Sequence, residues 1–350
     1  MIDNQIEIKE FINQFEYFPG TRFMGSKNKI IYELWEYFKE IEFESFLDVF
    51  AGSNVVSYFM KTKGKRVITN DFMKISYLAS KAIIENANVK ISKRDLTFLL
   101  DTSSSESFIS DKFEGLYFSD EENRFLDQIR GNIDLLEDEF KQSIAISALV
   151  RACMKKRPRG IFTFIGHRYD DGRKDIRKSL KDHFIDNISS FNNAVFDNEK
   201  KCESNNMLSQ ELNKTADLVY LDPPYYSPKS DNDYVRRYHF VEGLAKKWDG
   251  LEIQEHTITK KFKSYHSPFS KRESAYSAFH SLIERHKKSI IAISYSSNSI
   301  PTKNELIKIL KNYKEDVVVH EIDHTYSFGN QNNKKGNKAN RVKEYLFIAK

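Results

Sequence analysis

Residues 46–71 narrow the possible folds of this chain more than any other stretch. Phe46-Leu47-Asp48-Val49-Phe50 is an apolar run of strand length that closes in Ala51-Gly52-Ser53-Asn54. Residues 55–61 then carry the pattern of a helix, with Ser53 or Asn54 as its N-cap. After a turn at Gly64, Arg66-Val67-Ile68-Thr69-Asn70-Asp71 is a second strand. Strand, glycine turn, helix and strand make a βαβ unit, which commits the chain to a parallel sheet with right-handed crossovers. Further strands are expected at 217–221, 289–295, 316–322 and 344–349. The last two, separated by a polar Gly/Asn/Lys segment, form an antiparallel hairpin at the end of the sheet.

The middle of the chain has a different rhythm. From about residue 95 to 194, helical segments at 121–133 and 136–154 alternate with basic and Ser-rich loops, and no βαβ pattern occurs. This block reads as an insertion, mostly helical, between two halves of one α/β domain. A second insertion is expected at 226–286, where aromatic and basic residues interleave. With 350 residues, 27 Phe and 18 Tyr, the chain can bury a full core, as one elaborated domain or as two that share an interface. No apolar run approaches the ~18 residues of a membrane helix. The N-terminus lacks the basic start and apolar stretch of a secretory signal. Cys153 and Cys202 cannot build a disulfide framework or a four-ligand zinc site, so a reducing cytoplasm is expected, with Cys153 in the core. The nine histidines show no HExxH-type spacing, and no metal is implied.

A formal charge of +5 is too small to indicate a polyanionic partner, but its distribution is informative. Basic clusters recur after residue 150. In residues 155–177, Arg157, Arg159, His167, Arg168 and Arg173 alternate with Phe162, Phe164 and Tyr169, as a phosphate-tracking surface requires. Arg236 and Arg237, within residues 234–240, make a second candidate contact loop. Solvated helix faces and loops are the competing reading of each cluster.

Chemistry concentrates at Leu218-Val219-Tyr220-Leu221-Asp222-Pro223-Pro224-Tyr225. Prolines have no N–H to donate, so they end the strand and leave rigidly aimed carbonyls. Ligands bind at the carboxyl ends of strands in open parallel sheets. There the Asp222 carboxylate and the Pro223 carbonyl can each accept one hydrogen of an exocyclic amino group, with Tyr225 stacked on the heterocycle. The bland alternative is an ordinary turn after a strand stopped by two prolines.

Asp222-Pro223-Pro224-Tyr225 resembles the catalytic tetrapeptide of amino-directed, S-adenosylmethionine-dependent DNA methyltransferases, in the Asp form typical of N6-adenine enzymes. Residues 46–52 resemble the methionine-binding motif of that superfamily, and Asp71 follows Gly52 at close to the ~20-residue spacing of a ribose-binding acid. Arg22-Phe23-Met24-Gly25-Ser26-Lys27 is similar to the segment that precedes both motifs in the DNA adenine methylase (Dam-like) family. The motif order matches the alpha class, as found in type II restriction-modification systems. Two departures stand out. Asn54 occupies the place of the usual second glycine, and Asn205-Asn206-Met207-Leu208 stands where an acid contacting the cofactor's adenine is usual. Asn tolerates the left-handed backbone region, which meets the first.

The resemblance implies a Rossmann-like fold with a mixed seven-stranded sheet and a C-terminal antiparallel hairpin. Residues 1–95 and 195–350 would form the catalytic domain and 96–194 a helical target-recognition domain. It implies S-adenosylmethionine as cofactor, held by Phe23, Gly25, Ser26, Lys27, Asp48, Phe50, Gly52 and Asp71, and catalysis by Asp222, Pro223, Pro224 and Tyr225. Double-stranded DNA is the implied substrate, contacted by Arg157, Arg159, Arg168, Arg173, Arg236 and Arg237, with an independently acting restriction endonuclease as companion. Lys27 as a surface lysine, and Asp71 as a plain strand-end turn, are the competing readings of those two residues. N4-cytosine methylation on the same fold and a non-catalytic nucleic-acid-binding protein are the alternatives. A nicotinamide dehydrogenase is disfavoured, because no Gly-x-Gly-x-x-Gly follows the first strand.

Overall fold

The computed structural model describes residues 13–166, 174–224, 233–265, 267–297, 299–325 and 341–350. Seven strands form one mixed sheet: β1 (Ser45–Asp48), β2 (Arg66–Asn70), β3 (Glu203–Asn205), β4 (Leu218–Leu221), β5 (Ile290–Ser296), β6 (Val317–Thr325) and β7 (Arg341–Ala349). Their order is β3-β2-β1-β4-β5-β7-β6. The first five strands in that order pair in parallel, while β7 runs antiparallel to both β5 and β6. This is the expected seven-stranded sheet with its terminal hairpin. Six strands fall where the apolar runs place them. The sequence reading misses β3, a half-buried edge strand of three residues, Glu203-Ser204-Asn205, that has no apolar residue to signal it.

Alternate side chains of the central strands point to opposite faces. Phe46, Val67, Leu218 and Tyr220 pack on one side, and Leu47, Ile68, Val219 and Leu221 on the other, against Phe279, Leu282 and Leu306. Because both faces are covered, these strands are apolar throughout and do not alternate. Asp217, just before β4, accepts backbone N–H bonds from Glu44 at 3.0 Å and Ser45 at 2.8 Å. It thereby staples the start of β4 to the start of β1. In that register Asp48 pairs with Tyr220, so Asp48 and Asp222 emerge at the same edge of the sheet. The chain passes to one side of β1 for β2 and to the other for β4, making this edge the switch point where such sheets open a crevice.

The middle block is helical as expected, with helices at Lys93–Asp101, Asp120–Ile133, Glu139–Lys156 and Leu180–Ala194. Capping boxes begin two of them, Ser92 with Asp95 and Ser119 with Glu122, and each such cap contributes about 1 kcal/mol. The block shares its core with the sheet. Leu126, Ile144, Leu149, Cys153 and Phe184 lie in the same continuous buried cluster as Phe46 and Tyr220. Helix Glu139–Lys156 packs directly on helix Lys74–Ser80 of the α/β half. Among the described residues no helix is long and apolar enough to cross a membrane.

Candidate active site

Residues from four stretches line one cleft at the switch point: 23–27, 48–56 with 71–73, the end of β4 with Asp222 and Pro224, and Tyr234. Lys27 is not a surface lysine. It is 3% exposed, and its Nζ lies 2.7 Å from each oxygen of Asp222 and 3.2 Å from the Gly25 carbonyl oxygen. The Asp222 side chain keeps 19% of its surface exposed and so remains reachable from the cleft. Burial raises its carboxyl to about 6, with Lys27 pulling it down and Glu344 pushing it up. Pro223 is buried beside it, Pro224 lines the cleft, and Tyr225 lies outside the described residues.

The glycine turn after β1 is built around Asp71. Its Oδ2 accepts the Gly52 N–H at 2.8 Å and its Oδ1 the Met73 N–H at 2.8 Å, so the carboxylate holds the turn and lines the cleft together. Gly52 has φ +48°, and a β-carbon there would sit 3.2 Å from the Phe23 ring. Asn54 adopts φ 64° and occupies the N-cap position of helix Val55–Thr62, but its amide donates to the Ser76 carbonyl and does not cap. Its left-handed backbone is what makes Asn acceptable where the family's second glycine usually stands. Asp48 is buried and accepts the Ser57 hydroxyl at 2.6 Å. Asn205 and Asn206 donate to the Thr69 and Asp71 carbonyl oxygens, which ties them to the end of β2 and not to the cleft lining.

Burial raises both Asp48 and Asp71 to about 7, partly offset by their hydrogen bonds. Each holds its proton more tightly folded than unfolded, where the ordinary value is 3.8. Their contribution to stability is therefore complete below 3.8 and is lost as pH rises through about 7. The melting temperature of the ligand-free protein is expected to fall between about pH 4 and about pH 7 and to level off above, with a shallower slope in Asp71→Asn. Calorimetry over that interval checks this, and a slope that the substitution leaves unchanged would count against it.

The 23–27 segment is held over the cleft by aromatic residues that the sequence reading assigned to DNA contact. Tyr234–Lys246 is a helix, not the expected loop, and it buries Tyr238, His239, Phe240 and Val241. Phe23 stacks on Tyr238 with centroids 5.1 Å apart, and the Tyr238 hydroxyl accepts the Met24 N–H at 2.9 Å. Gly25, at φ +77°, passes so close to the Tyr234 hydroxyl that a β-carbon would lie 2.9 Å from it. Ser26 is linked to Ser53 by a 3.1 Å hydroxyl contact, and Phe50 packs edge-on against Phe269 while lining the cleft.

The basic candidates divide. Arg157 is fully buried, and its guanidinium donates to the carbonyl oxygens of Phe164 at 2.6 Å and Gly166 at 2.8 Å. It packs over the rings of Tyr117, Phe162 and Phe164. Its placement corrects the expectation of a surface phosphate contact: Arg157 organises the loop from within. Arg159, Arg236 and Arg237 are half-buried. The Phe162 N–H donates to the Arg237 carbonyl, joining the two basic segments. Arg168 and Arg173 lie outside the described residues. Replacing Arg157 with Leu should destabilise the fold by about 3 kcal/mol, since carbonyls that lose a charged donor are left unsatisfied. Urea denaturation checks this, and wild-type stability would return Arg157 to the surface candidates.

Two residues at the site had no local signal in the sequence. Glu344 is fully buried on β7 with Oε1 3.4 Å from Lys27 Nζ, and Phe72 lines the cleft next to Asp71. Several proteins of known type are similar to this chain along most of its length. It is 29% identical over 334 residues to the type II methyltransferase M2.HphI of Haemophilus parahaemolyticus, covering 91% of this chain and 95% of the relative. It is 28% identical to the modification methylase StsI of Streptococcus sanguinis, across 85% of this chain but only 47% of that longer protein. It is 24% identical to the type II methyltransferase M.NlaIII of Neisseria lactamica, over 87% of this chain and 90% of the relative. The profile of one family matches residues 23–309, a span that takes in the Lys27 segment, the glycine turn and the Asp222 turn, so the chain belongs to the D12 class N6 adenine-specific DNA methyltransferases.

Proposed function

We propose that the cleft binds S-adenosylmethionine and delivers its methyl group to the N6 amino nitrogen of an adenine rotated out of duplex DNA. The observation that carries this reading is that the Asp222 carboxylate opens into the same cleft as Asp48 and Asp71. The lining suits such a cofactor. Two carboxylates can take its ammonium group and ribose hydroxyls, Phe23, Phe50 and Phe72 offer apolar faces, and Gly52, at φ +48°, lets the backbone of the turn come close to the ligand. When bound, the cofactor supplies an electrophilic methyl group on a sulfonium.

The residues of the chain do the rest by positioning. An adenine amino nitrogen is a poor nucleophile because its lone pair is delocalised into the ring. By accepting its two N–H bonds, Asp222 and the Pro223 carbonyl favour a pyramidal nitrogen with the lone pair aimed along the line of transfer. Stacking on Tyr225 offsets part of the few kcal/mol that base flipping costs. Arg159, Arg168, Arg173, Arg236 and Arg237 are proposed to contact the duplex. The names of the relatives, a type II methyltransferase and a modification methylase, favour a restriction-modification role, and a cytoplasmic location with a separately acting endonuclease belongs to the same proposal. Sequencing with modification detection, on DNA from cells expressing the protein, should find N6-methyladenine at one short recurring site. Unmodified DNA, or N4-methylcytosine alone, would overturn the proposal.

A further inference from the structure

Behind the catalytic turn one buried ammonium stands between two carboxylates. Lys27 Nζ is 2.7 Å from both Asp222 oxygens and 3.4 Å from Glu344 Oε1. The Glu344 side chain is fully buried, and the same Oε1 accepts the Ser294 hydroxyl at 2.8 Å. Glu344 reaches this point from β7, the last strand, opposite Ser296 of β5. Three segments far apart in sequence thus meet at one charge cluster.

This arrangement poses a difficulty for Asp222. A carboxylate has about four lone-pair positions, so there is geometric room for further donors. Yet an ammonium on both oxygens draws off the charge that makes it a strong acceptor for an amino hydrogen. Glu344 offers that ammonium a second partner, already held in place by Ser294.

We propose that Glu344 is a positioning residue for methyl transfer, taking over the Lys27 ammonium as the target amino group docks on Asp222. The shift required of Nζ is small, from 3.4 Å toward the ~2.8 Å of a charge-assisted hydrogen bond to Glu344. No proton is transferred. Lys27 keeps its three hydrogens, and only the partner of the ammonium changes. The inference rests on the reading of Asp222 as the acceptor of the amino group. It assigns a role in the reaction to a residue of the terminal hairpin that does not line the cleft.

Glu344→Gln keeps the shape and an acceptor for Ser294 but removes the charge, so Lys27 stays on Asp222. In single-turnover methylation with saturating S-adenosylmethionine and target duplex, its rate should fall about tenfold or more. The dissociation constants for S-adenosylmethionine and for DNA should each change by less than about twofold, the split expected of an interaction that matters in the transition state. Asp222→Asn, measured alongside, should lose about a hundredfold or more. A wild-type rate in Glu344→Gln with an inactive Asp222→Asn overturns the hand-over alone, whereas a wild-type rate in Asp222→Asn overturns the reading beneath it. A parallel loss of rate, both affinities and unfolding midpoint in Glu344→Gln would make Glu344 a structural support and also overturn the proposal. If the Gln protein fails to fold, Glu344→Asp, which withdraws the charge by one methylene, decides. Slower transfer with unchanged affinities supports the hand-over, and an unchanged rate overturns it.

Discussion

Asp222→Ala is expected to lower the single-turnover methylation rate about a hundred- to a thousandfold, the usual effect of deleting one preorganised group at a reacting centre. S-adenosylmethionine binding should change little, because Asp48, Asp71 and Gly52 hold the other part of the cleft. The loss should also have a pH signature in the unmutated protein. The ionised carboxylate is the stronger acceptor for the amino hydrogen, and burial raises Asp222 to about 6, so the rate should fall as pH drops through that value and not near 4. Protonation below that point favours the fold, since the folded value lies above the ordinary 3.8; a loss of rate there reports the chemistry and not unfolding. Rapid-quench kinetics across that range check both statements. A rate that stays flat down to pH 4.5, or an active Asp222→Ala protein yielding N6-methyladenine, would remove Asp222 from the centre of the mechanism.

Lys27→Met is expected to have the largest effect on stability. Its ammonium lies within 3.4 Å of Asp222 and Glu344, and removing one partner from a buried ionic cluster costs about 3–5 kcal/mol through the uncompensated charge left behind. Part of that loss should return in the double variant Lys27→Met with Glu344→Gln, where one of the two stranded carboxylates is gone. Losing Lys27 also removes a charge that lowers the Asp222 carboxyl, so the acid limb of the rate profile should move to higher pH. Urea denaturation of the single and double variants provides the check. If Lys27→Met is as stable as the parent, the ammonium is not balancing the two acids.

The local signals of the sequence sufficed for most of what depends on neighbours along the chain. The strand–turn–helix–strand at residues 46–71, the strand halted by Pro223 and Pro224, and the spacing of Asp71 from Gly52 each follow from periodicity, proline chemistry or turn sterics. With β1 and β4 paired, they put the glycine turn and the Asp222 turn at one sheet edge. The Asn54 backbone was legible for the same reason, since tolerance of positive φ belongs to the residue itself. What the tertiary structure alone decided is which polar groups face inward. Arg157 and Arg159 are indistinguishable as sequence, but packing buries the first among Tyr117, Phe162 and Phe164 and leaves the second half-buried. Residues 234–240 interleave aromatic and basic side chains as a contact loop would, and only the shared core turns them into a helix that buries Tyr238 and Phe240. Glu344 carries no motif; pairing of β7 with β5 brings it to Lys27 across more than three hundred residues of chain. A charge becomes buried only when distant elements close over it, and contacts at that range leave no periodicity to read.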